Sequence, residues 1–297
     1  MNSVTESAPT RYEDPLACID WQGIDRECWW LPPDALSLTG DERFEALPLG
    51  TRRRLSQLEY VHLLQAGLWL ESRFMAHMSV IAQRSADPGH RARLLHAIRE
   101  EAGHSLLFVE LLQRSGFGID ARHGPVFRAV DALGGLVAGD NALFWAMVVI
   151  GEELPDRLNQ RLRRGVAEAT LSSVVYRIAS IHVHDEAQHA AYAREHCRHA
   201  ARRLPRWARR LLAPALSIAI DLYARFVYYP PAGIYGRAGL EPAAGWRARA
   251  LRNPARRAQV AAMIRPTVDF LRRSGWPVRS RFLDRPRTAP SGSGIAC

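Results

Sequence analysis

From Gly50 onward, apolar residues recur every three to four positions. RRRLSQLEYVHLLQAGLWLESRFMAHMSVIAQR keeps this period for about 33 residues and predicts one long helix. SADPGH breaks it at Pro88 and Gly89. RARLLHAIREEAGHSLLFVELLQRSG predicts a second helix ending at Gly116, and FGIDARHGP a loop. A third, largely apolar helix is expected to start between Val130 and Asp140 and to run to about Arg164. A fourth should span from near Ala167 to about Arg203. LPRWARRLLAPALSIAIDLYARFVYYPP reads as a fifth, stopped by Pro230 and Pro231, and NPARRAQVAAMIRPTVDFLRRSG as a last amphipathic one. Strand alternation and solenoid repeats are absent. The expected class is all-α, a four-helix bundle with added helices. Residues 1–50, rich in Pro, Asp and Trp, are expected to form an irregular arm packed on the body. Residues 51–280 should form one domain, and 281–297 a flexible tail.

Composition narrows the function less than the pattern does. The apolar share of 47% supports a sizeable core. The net charge of +10 comes from forty basic residues, every one of them arginine. They are scattered, without the interleaved aromatics of a stacking platform, which argues against a nucleic-acid partner. Cys18, Cys28, Cys197 and Cys297 form no CxxC pair, which removes zinc-ribbon and thioredoxin chemistry and fits a reducing cytoplasm. The first twenty residues lack an apolar signal core, and ALFWAMVVIG and LLAPALSIAI are too short to span a bilayer. A cytoplasmic protein without membrane insertion is the expectation.

Two stretches carry chemistry. Glu101-Ala-Gly-His104 and Glu186-Ala-Gln-His189 both have the form Glu-x-x-His, on the second and fourth helices. Residues three apart on a helix point to nearly the same side, so each pair can grip one metal ion. Two such pairs, each joined by a glutamate from a neighbouring helix, build a di-metal carboxylate site in a bundle core. His182 lies four residues before Glu186 on the same face and is a further candidate ligand. On the first helix Glu71 stands 16 residues before Asp87, near the height of Glu101, 14 residues after it. Glu71 shares a face with Leu64, Leu68, Met75 and Met78, where a charge needs a partner. Glu59 lies too far from the bend. On the third helix Glu152 and Glu153 compete. Glu152 lies about 100° from the apolar stripe centre and Glu153 about 160°, aligned with Arg157, Gln160 and Arg164 on a face expected to be wet. Glu152 is therefore the chosen ligand. His96, His184 and His199 are read as non-ligands.

These motifs resemble those of the ferritin-like di-iron oxygenases. The narrower pattern His182-x-x-x-Glu186-x-x-His189 resembles the AurF-type arylamine N-oxygenases, in which a third histidine joins four carboxylates and two histidines. LPPDALSLTG, EEAGHSLLFVELL and RIASIHVHDEAQHAAYAREH carry the likeness over about residues 30–275. The resemblance implies a ferritin-like bundle, with Glu71, Glu101, His104, Glu152, His182, Glu186 and His189 holding two iron ions. It implies O2 as co-substrate and oxidation of an amine to a hydroxylamine or nitro group, usually in secondary metabolism. The implied partners are a small-molecule amine, free or on a carrier protein, an external electron donor or reductase, and a second copy in a homodimer.

A carboxylate and imidazole donor set without cysteine suits iron or manganese. Asp185 and Glu100 each precede a ligand glutamate. They are expected to accept a hydrogen bond from the opposite histidine, Asp185 from His104 and Glu100 from His189. Trp69, Phe74, Phe108, Phe144, Trp145 and Tyr192 are candidate pocket aromatics. Hydroxylation or desaturation at carbon, a ferroxidase and a radical subunit remain alternative readings.

Overall fold

Aspartate, asparagine and proline set where the helices begin. In the computed structural model, which describes residues 13–119, 139–164 and 171–284, Asp41 caps the one-turn helix α1 (Glu42–Glu45). The long helix α2 (Leu49–Arg84) follows Pro48. Asp87 accepts from the amides of Gly89 and His90 and, with Pro88 in the first turn, starts α3 (Pro88–Arg114). Gly116, at φ 67°, takes the left-handed backbone just past the end of α3. The side-chain oxygen of Asn141 accepts from Leu143 and Phe144 and caps α4 (Ala142–Arg164). Then come α5 (Ser173–Arg203), α6 (Arg206–Tyr228), α7 (Ala232–Arg237), α8 (Ala243–Arg252) and α9 (Pro254–Arg273). No strand occurs among the described residues, so the fold is an all-α helical bundle. Residues 130–138 and 165–170, where the expected starts of the third and fourth helices fall, lie outside the described residues, as do 1–12, all but the first three residues of the expected loop and most of the tail.

Helices α2 and α3 form one antiparallel hairpin; α4 and α5 lie against each other as a second pair. Their inner faces meet through Leu58, Leu107, Leu111, Val149, Leu154, Val175 and Ile178, all essentially excluded from solvent. The segment before α2 is not loosely draped. Trp30 and Leu31 are fully buried, the Trp30 amide donates to Ser56 Oγ, and the Ser172 amide donates to the Trp29 carbonyl. Glu59 accepts from the Ser37 amide at 3.0 Å and from the Ser37 hydroxyl. Arg256 of α9, 2% exposed, donates to the carbonyls of Ala35 and Tyr228. Arm and closing helix therefore pack together against one end of the bundle.

Pro155 interrupts the α4 backbone ladder one turn after Glu152. Its missing N–H frees the Gly151 carbonyl, which accepts from the Tyr223 hydroxyl of α6 at 3.4 Å instead. The stretch Arg206–Arg237 is long and apolar enough by composition to pass for a membrane span. It is two helices broken around Pro230 and Pro231, and Ala213, Leu216, Ile220 and Ala224 on its inner side are buried in the core.

Candidate di-metal centre

The residues singled out by spacing converge from four helices. Glu71 comes from α2, Glu101 and His104 from α3, Glu152 from α4, and His182, Glu186 and His189 from α5. They fall into two nests. Glu71, His104 and His182 offer ligand atoms within 4.8 Å of one another, and so do Glu101, Glu152, Glu186 and His189. Glu101 and Glu186 face both nests. Glu101 places Oε2 3.6 Å from His104 Nδ1 and Oε1 3.2 Å from His189 Nδ1. Glu186 places Oε1 3.5 Å from His104 Nδ1 and Oε2 3.6 Å from His189 Nδ1. Two carboxylates with one oxygen on each side make a bridging geometry. His182 Nε2 lies 3.5 Å from Glu71 Oε1 and 3.7 Å from Glu186 Oε1, in the first nest.

The outer nitrogens are held. His104 Nε2 stands 3.0 Å from Asp185 Oδ2, and His189 Nε2 2.8 Å from Glu100 Oε2, so each helix supplies the acid that faces the other helix's histidine. These two carboxylates border a polar cleft of about 640 Å³, together with Arg99, Arg177 and His184. The inner atoms meet one another only at ion-pair distances. Glu71 Oε1, both oxygens of Glu101 and of Glu186, and the Nδ1 atoms of His104 and His189 are buried without a hydrogen-bond partner. Orphaned donors and acceptors at this density would be costly in a protein core. Converging on two points, they fit a pair of cations, and an oxygen-rich set with imidazoles and no thiolate fits iron or manganese.

The protonation pattern of the metal-free cluster follows from burial and charge. Burial raises the Glu71 carboxyl. Burial, then the charges of Glu186 and Glu101, hold Glu152 well above the ordinary carboxylate value. Glu101 and Glu186 are held low although burial opposes it, and for Glu101 the Glu186 charge as well; the groups facing them outweigh this, His104 and His189 for Glu101, and Glu152, His182 and His189 for Glu186. Burial would lower His104 and His189, yet the carboxylates around them outweigh it and hold both well above the imidazole value. Two anions thus face two cations, and Glu152 tends to keep its proton.

Two expectations change. Glu153 is not on a wet face: it is 3% exposed, accepting from Arg194 Nε at 2.6 Å and Thr267 Oγ1 at 2.7 Å. Helix α9 covers that side of α4, a tertiary contact invisible to helical angles. Of the six aromatics, only Phe74 and Phe108 line the cavity beside the cluster. Trp145 and Tyr192 belong to a separate polar-aromatic group, where Trp145 Nε1 donates to Asp140 and Tyr192 bonds His90. Ser105 and Asn159 were not anticipated. Ser105 Oγ donates to Glu71 Oε2 at 2.5 Å, and the Asn159 amide meets His182 Nδ1 at 3.2 Å. Both contacts cross between helices, so no local spacing announces them.

The family model described as P-aminobenzoate N-oxygenase AurF matches residues 1–275. The chain belongs to the AurF family. This family is one of di-iron oxygenases, which implies an oxygenase with a small-molecule substrate and a source of electrons. An uncharacterised protein of Mycobacterium tuberculosis (strain CDC 1551 / Oshkosh) is 26% identical over 77% of this chain and 68% of its own length. One of Mycobacterium bovis (strain ATCC BAA-935 / AF2122/97) is 27% identical over 70% of the chain. The match covers 61% of that relative's length.

Proposed function

We propose that this AurF-family chain is an O2-activating di-iron N-oxygenase that oxidises the nitrogen of a small amine, of the arylamine kind. The observation that supports it most is the convergence of ligand atoms from Glu71, Glu101, His104, Glu152, His182, Glu186 and His189, those of Glu101, Glu186, His104 and His189 buried without a hydrogen-bond partner, with His182 as the donor beyond the usual six. Glu71, His104 and His182 would hold one ion, Glu152 and His189 the other, and Glu101 and Glu186 would bridge them. Two ferrous ions so held would supply the electrons with which O2 is activated.

The rest is the work of the chain. Asp185 and Glu100 fix the tautomers of His104 and His189 by accepting from Nε2–H, which leaves each Nδ1 free to face inward. A cavity of about 40 Å³, the volume open to the centre of a water-sized sphere, borders Glu71, Glu152, His182 and Glu186. Its other walls include Tyr60, Phe74, Phe108, Leu158 and Ile178. That volume holds a few waters, so a ring-sized amine enters only if side chains such as Phe74 and Phe108 move aside. The apolar walls then exclude water from the reacting nitrogen.

The test is a single turnover. Iron-loaded, chemically reduced protein is mixed with O2 and then with an arylamine, and products are read by mass spectrometry. Hydroxylamine or nitro product supports the reading. Oxidation confined to carbon, with the nitrogen untouched, would assign the chain to the hydroxylase alternative.

A further inference from the structure

The three histidines of the cluster are not equivalent. His104 and His189 follow their glutamates by three residues on the helix and lean back toward them, so the near nitrogen, Nδ1, faces the cluster. His182 precedes Glu186 by four and leans away, so only the far nitrogen, Nε2, reaches in. Its outer nitrogen is therefore Nδ1. The outer nitrogens of His104 and His189 meet carboxylates, whereas His182 Nδ1 meets the neutral amide of Asn159, two turns after Glu152 on α4.

A ring nitrogen that takes a metal carries no proton, so the other nitrogen of a neutral imidazole must carry it. With Nε2 turned inward, His182 Nδ1 is a donor. The Asn159 amide stands with Nδ2 toward it at 3.2 Å, which would set donor against donor. A half-turn of the amide exchanges its nitrogen and oxygen without moving any other atom. We propose that Asn159 presents Oδ1 to His182 Nδ1–H, and is the positioning residue that fixes the tautomer and ring plane of the third histidine. This rests on the di-metal reading of the site. A neutral acceptor raises ligand basicity less than a carboxylate does, so His182 is the least supported of the three imidazoles. Asn159 and His182 both line the 40 Å³ cavity, so whatever occupies it lies against this pair.

The test uses metal binding, not turnover. Mn(II) is titrated into chelator-stripped wild type, Asn159→Leu, Asn159→Asp and His182→Ala, with free ion read by electron paramagnetic resonance and helix content by circular dichroism. Leucine removes the acceptor and should weaken one of two bound ions by about 10-fold, the low end of the range for such partners, and by less than His182→Ala should. Aspartate keeps an acceptor on the same frame and should bind within about threefold of wild type, or tighter. Adding Asn159→Leu to His182→Ala should cost nothing further. If Asn159→Asp loses as much metal as Asn159→Leu while remaining helical, the amide acts as donor and the proposal falls. Wild-type affinity in the leucine variant would also overturn it. A wild type that binds no Mn(II) would instead contradict the di-metal site itself.

Discussion

Loading the metal-free protein with two divalent ions should expel protons, and the structure bounds how many. Each ligand must be deprotonated to bind. His104 and His189 are held well above the imidazole value and carry protons near neutrality. Glu152, raised well above the carboxylate value by burial and the charges beside it, and Glu71, raised by burial, add up to two more. Release should therefore fall between about two and four protons, and the overall binding constant should climb about 10²- to 10⁴-fold per pH unit near pH 7. Titration calorimetry in buffers of different ionisation enthalpy reads the number as a slope. A value below one would refute the protonation pattern. The same shifts act on stability. Raised carboxylates cost the metal-free fold stability as pH climbs from the ordinary value of 4.5 through the raised one. The histidines' contribution is complete below 6.5 and is lost as pH rises through their raised values. Both run the same way, so the chelated protein should melt lower at pH 8 than at pH 6, and metal loading should remove that difference.

Asp185→Ala and Glu100→Ala should each lower iron retention, with metal affinity down about 10–100-fold by competition with a chelator; unchanged iron content and turnover would show that these carboxylates do not orient the histidines. Glu59→Ala should cost roughly 1–3 kcal/mol in a denaturant melt, because the Ser37 amide loses its acceptor while the Ser37 hydroxyl keeps Tyr235, yet leave iron content unchanged; iron loss at native helicity would mean that Glu59 has been misplaced. Gly151→Ala puts a methyl 2.4 Å from Phe74 Cζ, an overpacking of about 1–3 kcal/mol against a helix gain of about 1 kcal/mol. The melting temperature should fall slightly as the ring is pushed toward the cavity, whereas a rise would show that the ring has room to spare.

Much of the centre was legible because a helix converts spacing into direction. Glu101, His104, His182, Glu186 and His189 lie on two helices whose period is plain, and counting from the bend at Asp87 was enough to place Glu71 beside them. Glu152 and Glu153 show the limit. Angle chose Glu152, which the structure places in the second nest, but it described Glu153 wrongly, since Thr267 lies more than a hundred residues away and its helix covers the supposed wet face. Ser105 and Asn159 were illegible for the same reason: their partners sit on other helices, and the register between helices is set by packing. The aromatics were over-read, because Trp145 and Tyr192 share the helices of the cluster but point to a different group of side chains.

The central claim is that these buried carboxylates and imidazoles hold two metal ions. Elemental analysis of wild type and Glu101→Ala, purified aerobically from iron-supplemented cells, tests it most directly. Because Glu101 faces both nests, the account predicts about two irons per chain in the wild type and their loss in the variant. No iron in the wild type, or equal iron in both proteins, would contradict it.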